Sequence, residues 1–184
     1  MNISLQRAGR AFAASILATL AVATAPVAVA QTTGSIAKGE SGLPLPRFVS
    51  LKSGRVNLRV GPGKDYAVDW MYLKPGLPME IIQEFDTWRK VRDADGTEGW
   101  ISQSLLSGKR TAIVAPWHRG KNTMVSLRSG PDAGAPTVAV LEPGASGLID
   151  KCDGSWCHLN FSGHDGYVEQ TLIWGAYPGE VVED

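Results

Sequence analysis

The stretch Val56-Asn57-Leu58-Arg59-Val60-Gly61-Pro62 returns almost unchanged as Val125-Ser126-Leu127-Arg128-Ser129-Gly130-Pro131, 69 residues further on. The correspondence continues downstream: Leu73, Pro75 and Gly76 fall on Leu141, Pro143 and Gly144, and Trp88 falls on Trp156. Gly99-Trp100-Ile101 meets Gly166-Tyr167-Val168, and Gln103, Leu105 and Gly108 meet Gln170, Leu172 and Gly175, with the offset drifting only from 69 to 67. Self-similarity at a fixed period is the mark of a repeated structural unit. The chain must therefore fold as two copies of one design, each of about 60 residues. A unit that small hides only about 60% of its unfolded surface, so each copy needs a neighbour or a staple.

Within the first copy, Arg55 to Val60 alternates polar and apolar residues, as a half-buried strand does. Gly61-Pro62-Gly63 ends it with turn residues. Phe48 to Leu51, Val68 to Leu73, Met79 to Phe85, Trp88 to Arg92 and Gly99 to Ile101 read as further short strands. Ser102 to Leu106 allows one helical turn at most. Close turn signals without a long amphipathic helix predict a small all-β barrel. The second copy repeats the pattern at Val138 to Leu141, Ser146 to Cys152, Trp156 to Phe161 and Gly166 to Val168, and Thr171 to Trp174 mirrors the terminal turn. At the same offset Phe48 falls on Trp117, which places an aromatic residue at the start of each copy. Thr111-Ala112-Ile113-Val114 then reads as an apolar linker strand, within 109–122, packed between the halves.

The N-terminus reads as a signal peptide over 1–30. Arg7 and Arg10 precede an apolar run from Ala11 to Ala25, and Ala28-Val29-Ala30 supplies small residues for cleavage. The run is Ala-rich, broken by Pro26 and shorter than the roughly 20 residues a retained span needs, so no stable membrane span is expected in the mature chain. Residues 31–45 read as a flexible leader and 176–184 as an acidic tail expected to fray. With 18 basic and 18 acidic residues the net charge is zero, and the basic residues look scattered, which argues against nucleic acid as a partner.

With these features placed, the chain resembles the bacterial Src-homology-3-like (SH3-like) domains. The resemblance is carried by Gly76-Leu77-Pro78-Met79-Glu80-Ile81-Ile82, by Glu84-Phe85-Asp86-Thr87-Trp88-Arg89-Lys90-Val91-Arg92 and by Gly96-Thr97-Glu98-Gly99-Trp100-Ile101. It covers both copies, as modules over 46–108 and 115–175, and is looser in the second. It implies two consecutive five-stranded SH3-like barrels, periplasmic or secreted, with a non-catalytic role binding peptidoglycan, a cell-envelope peptide or another exported protein. Neither the Ala-Leu-Tyr-Asp-Tyr run nor the Pro-x-x-Tyr ending of eukaryotic relatives is present, so polyproline recognition is not implied.

Cys152-Asp153-Gly154-Ser155-Trp156-Cys157 brackets a glycine-centred turn, which sets the two thiols facing across a hairpin and predicts a disulfide. The equivalent positions in the first module are Glu84 and Arg89, predicting an ion pair across the same hairpin, of the strength of a surface pair. A zinc site from Cys152, Cys157, His158 and His164 is the competing reading. Adjacent Cys157 and His158 point to opposite faces of a strand, so no metal or other cofactor is expected. No Gly-x-Ser-x-Gly elbow is present, and Gly61-Pro62-Gly63-Lys64 lacks the spacing, the hydroxyl residue and the helix of a phosphate loop. Catalytic residues are not expected. Aromatic residues in a small barrel mostly fill it. By analogy with the family's ligand groove, Tyr66, Asp86 and Trp88, with Trp100, are the candidate ligand surface. Arg59 and Arg128 could grip an anion, but bonding loop carbonyls of their own modules suits their fixed donors better.

Overall fold

The computed structural model describes residues 37–183. The signal peptide predicted over 1–30 and the start of the leader lie outside the described residues. The first module contains β3 (Arg47–Leu51), β4 (Val56–Arg59), β5 (Val68–Tyr72), β6 (Pro78–Phe85), β7 (Trp88–Arg92), β8 (Glu98–Ser102) and β9 (Leu106–Ser107), preceded by a small hairpin of β1 (Ala37–Lys38) and β2 (Pro44–Leu45). The second contains β10 (Thr111–Val114), β11 (Val125–Arg128), β12 (Thr137–Leu141), β13 (Ser146–Asp153), β14 (Trp156–Phe161), β15 (His164–Glu169), β16 (Ile173–Trp174) and β17 (Val181–Val182). Hydrogen bonding orders the first sheet β5-β4-β8-β7-β6-β3-β9 and the second β12-β11-β15-β14-β13-β10-β16, with β17 added against β13. The two orders match strand for strand, so the duplication read from the residues is a duplication of topology. The described residues are all-β, as the resemblance to SH3-like domains implied.

Both sheets break register at the same places. Shifts fall between Leu58 and Arg59 and between Leu127 and Arg128, and again after Ile81 and after Ile149. Such bulges bend a strand and tighten its twist, which is how a short sheet curls into a barrel. The interior of the first barrel is Val49, Leu51, Val56, Leu58, Tyr72, Met79, Ile81, Val91 and Ile101. Alternation fixes this: along β4, Val56 and Leu58 are fully buried while Asn57 and Arg59 face outward.

The glycine that opens Gly99-Trp100-Ile101 is set by a close strand crossing. A Cβ there would lie 2.5 Å from Leu58 Cγ and 2.9 Å from the Arg59 carbonyl oxygen, and its twin Gly166 faces Leu127 and Arg128 in the same way. Leu58 is fully buried and cannot yield. Gly99→Ala is expected to cost about 1–3 kcal/mol by overpacking, read as a lower urea midpoint at unchanged slope.

Four expectations are corrected. Thr111–Val114 is not a linker: as β10 it pairs with β13 and β16, the place β3 occupies between β6 and β9. Trp117 therefore starts nothing; it sits, half exposed, in a 3-10 turn over Pro116–His118, in a connection longer than its counterpart in the first module. The described part of the leader is folded as the β1–β2 hairpin, because Glu84 accepts from the Ser41 backbone N–H (2.7 Å) and hydroxyl (2.8 Å) and Glu40 accepts from the Asp86 N–H (2.9 Å). The tail is held as well: β17 pairs with Cys152 and Asp153, Val182 is buried, and the Gln170 side-chain amide donates to the Glu180 carbonyl at 2.9 Å.

The modules meet through side chains. Phe48 stacks edge-on to Trp174 at 4.9 Å and against Tyr177 at 4.7 Å, with the Arg110 guanidinium 5.7 Å from its ring centre. The Tyr177 hydroxyl donates to Glu80 at 2.9 Å, while Arg92 grips the other Glu80 oxygen. Burial and the Glu80 carboxylate both push the Tyr177 phenol above its ordinary range. The two modules belong to one compact unit.

Candidate functional site

On β7, Trp88, Lys90 and Arg92 point away from the core that Arg89 and Val91 enter, and on β8 Trp100 and Ser102 share that outer side. β4 contributes Asn57 and Arg59 to it. The three strands run side by side, so the outer face of the first barrel is a curved sheet of polar and aromatic groups. At one end it dips into an open groove of about 410 Å³, lined by Arg55, Asn57, Arg59, Lys64, Met71, Trp88, Ser102, Ser104 and Leu105. Trp88 is half-buried there. Arg59 spends one guanidinium nitrogen on the Tyr66 carbonyl at 2.6 Å, as Arg128 does on the Ala135 carbonyl at 2.9 Å. This is the loop-carbonyl role expected of both arginines, and it pins the loop that forms one bank of the groove.

The four residues singled out from the sequence do not converge. Trp88 alone lines the groove. Tyr66 lies across Gly61 and Gly63 of the preceding turn, about half exposed, and reaches the site only through its carbonyl. Trp100 sits on the same sheet face, opposite Arg59 and Lys90 in register, outside the groove. Asp86 occupies the β6–β7 hairpin tip at φ 47°, where its N–H is taken by Glu40 and its carbonyl by Arg89. Arg55, Lys64, Asn57 and Met71 line the groove without having been singled out from the sequence. Alternation from Arg55 to Val60 set Arg55 and Asn57 on the outer face with Arg59, whereas Lys64 stands in a turn that carries no periodic signal.

The second module has a groove of about 420 Å³, but of other make: Trp156, His158 and Tyr167 face Lys151 and Pro131, and β17 closes one side. His158 Nδ1 lies 2.9 Å from Asp150, and its ring meets Tyr167 edge-on at 4.8 Å. Cys157, one residue earlier, is fully buried on the opposite side of β14 and disulfide-bonded to Cys152.

The paired positions across the β6–β7 hairpin are in register, Glu84 opposite Arg89 and, in the second module, Cys152 opposite Cys157. The expected ion pair exists at 3.2 Å, but not as a surface pair: the Glu84 side chain is fully buried, and Arg47 joins it at 2.6 Å. Burial pushes the Glu84 carboxyl upward, yet the Ser41 N–H, Arg47 and the Ser41 hydroxyl outweigh it and bring its pKa down to about 2.

The family model for the bacterial SH3 domain matches the chain twice, over residues 52–108 and 121–175. The chain belongs to the bacterial SH3 domain family. No curated protein matches it. Among solved structures, it is similar to NlpC2 from Trichomonas vaginalis (14% identity over 70% of this chain and 48% of that one, TM-score 0.30) and to NlpC1 from the same organism (15%, 74% and 48%, TM-score 0.30). It is also similar to an NlpC/P60 family protein from Bacillus cereus ATCC 10987 (9%, 70% and 56%, TM-score 0.31). The chain spans about half the length of these structures. The two bacterial SH3 matches coincide with the two barrels, and both omit their first strands, β3 and β10.

Proposed function

We propose that this chain is an exported, non-catalytic binding protein that holds a cell-envelope component, peptidoglycan or a short peptide, in the groove of its first bacterial SH3 module. The observation that carries this is the groove itself: preformed, open, and walled by Trp88 and Met71 beside several hydrogen-bonding groups, the composition of a recognition site. Bacterial SH3 domains typically bind cell walls, and a disulfide suits a compartment outside the cytoplasm. Among the described residues no helix is long and apolar enough to cross a membrane. Because both sulfurs are joined, neither serves as a thiolate nucleophile.

A second reading, an adaptor for other secreted proteins, is favoured by exposed apolar residues around the edge strand β5. Trp70 is 57% exposed and Leu73 73% exposed. The test is retention of the oxidised protein on purified sacculi. Trp88→Ala is expected to weaken retention about 30-fold, the loss typical of a buried aromatic anchor. Absence of retention by the parent protein shifts the assignment to the adaptor, and release of soluble wall fragments revives a hydrolase.

A further inference from the structure

We propose that the first module's groove is a carboxylate site, which takes the free C-terminal carboxylate of a short peptide against Arg55, Arg59 and Lys64 and its last side chain against Trp88 and Met71. This rests on the reading of that groove as the binding site. Three cations line the groove and no acidic side chain does. Among the described residues, no ion pair joins any of the three to a carboxylate, whereas Arg47, Arg89, Arg92, Arg110 and Arg119 are all so paired. In a chain of zero net charge, this is a local excess that the protein itself leaves uncompensated.

The second module shows that the fold does not require it. In the same topology and register, Met124 stands where the first module has Arg55, Ala133 where it has Lys64, and Glu169 where it has Ser102. Only Arg59 has a basic twin, Arg128, and that pair performs the shared structural task of holding the loop. What differs between two copies of one barrel is what one copy adds to it, and here the addition is positive charge.

The remaining lining narrows the anion. Arg59 keeps donors free beyond the one given to Tyr66, and a guanidinium fork matches a planar carboxylate. The Ser102 and Ser104 hydroxyls, 3.0 Å apart, and the Asn57 amide stand beside the cations and suit the peptide group next to a terminus. Met71, Leu105 and the Trp88 ring give an apolar wall that a bare phosphate would leave unused but a peptide side chain would cover.

The test is an NMR titration of the full, oxidised chain, following the Trp88 indole N–H. The probes are acetyl-trialanine with a free carboxylate, its C-terminal amide and inorganic phosphate. The free acid is expected to shift the signal with an affinity that falls as salt rises, and the amide to bind at least about 10-fold more weakly, the loss expected when a charge-assisted hydrogen bond goes. The double variant Arg55→Met, Lys64→Ala carries residues the second module already folds with, and should also lose about 10-fold. Equal binding of acid and amide, equal binding by parent and variant, stronger binding of phosphate than of the acid, or no shift with any probe overturns the proposal. Sacculus retention without acid-selective binding sinks this inference alone. Acid-selective binding without sacculus retention sinks the cell-wall reading alone.

Discussion

Glu84→Gln is expected to lower the stability of the folded chain by about 3–5 kcal/mol, the usual cost of removing one partner from a buried ionic cluster. The Glu84 carboxylate accepts from Ser41 twice and from Arg47, and lies against Arg89, with its side chain wholly out of solvent. Glutamine keeps the shape, but leaves two guanidinium groups facing a neutral amide whose NH₂ end repels them. The readout is the urea midpoint, accompanied by faster proteolysis within 37–45, since the β1–β2 hairpin is tied to the barrel through Ser41. The same site sets an acid limb. A carboxyl held at about 2 when folded and near its ordinary value of 4.5 when unfolded contributes its full stabilisation above about pH 4.5 and loses it as the pH falls toward 2. Stability of the parent should therefore decline across that window, and the Glu84→Gln curve should be flatter there. Equal slopes for the two proteins would show that the cluster is not the source.

Replacing Cys152 and Cys157 together by serine is the second large expected loss, about 2–4 kcal/mol, read as a fall in the thermal midpoint. The bridge closes a loop of only a few residues, so chain entropy alone predicts the lower end. Packing adds to it: both cysteines belong to the second module's core, beside Leu159, Val168 and Val182, and serine hydroxyls there would lack partners. Because β17 pairs with Cys152 and Asp153, loosening this hairpin should also release the C-terminal strand, visible as lost exchange protection at Val182. An unchanged midpoint would mean that the core, not the covalent link, holds the hairpin.

Most of the fold was legible because the chain states it twice. Leu58 with Leu127, Trp88 with Trp156 and Gly99 with Gly166 fixed the strands, and each of these pairs does the same work in both barrels. What escaped detection depended on partners distant in sequence. Nothing near Ser41 announces a bond to Glu84, and nothing near Val182 announces a ladder to Cys152. The first strand of the second module was taken for a linker because the extra turn at Pro116–His118 interrupts the offset, so the alignment set Phe48 on Trp117 instead of Thr111. The groove was less legible still. Trp88 stood out by residue type, whereas Arg55, just ahead of β4, and Lys64, in a turn, become informative only when set against Met124 and Ala133.

The cross-brace that differs between the halves has a consequence for how each half answers a change in its surroundings. An ionic clasp and a covalent one at equivalent positions have no common solvent, so the surroundings that undo the first leave the second untouched, and the reverse. Acid therefore loosens the first barrel and a reductant the second, so neither treatment alone releases both clasps.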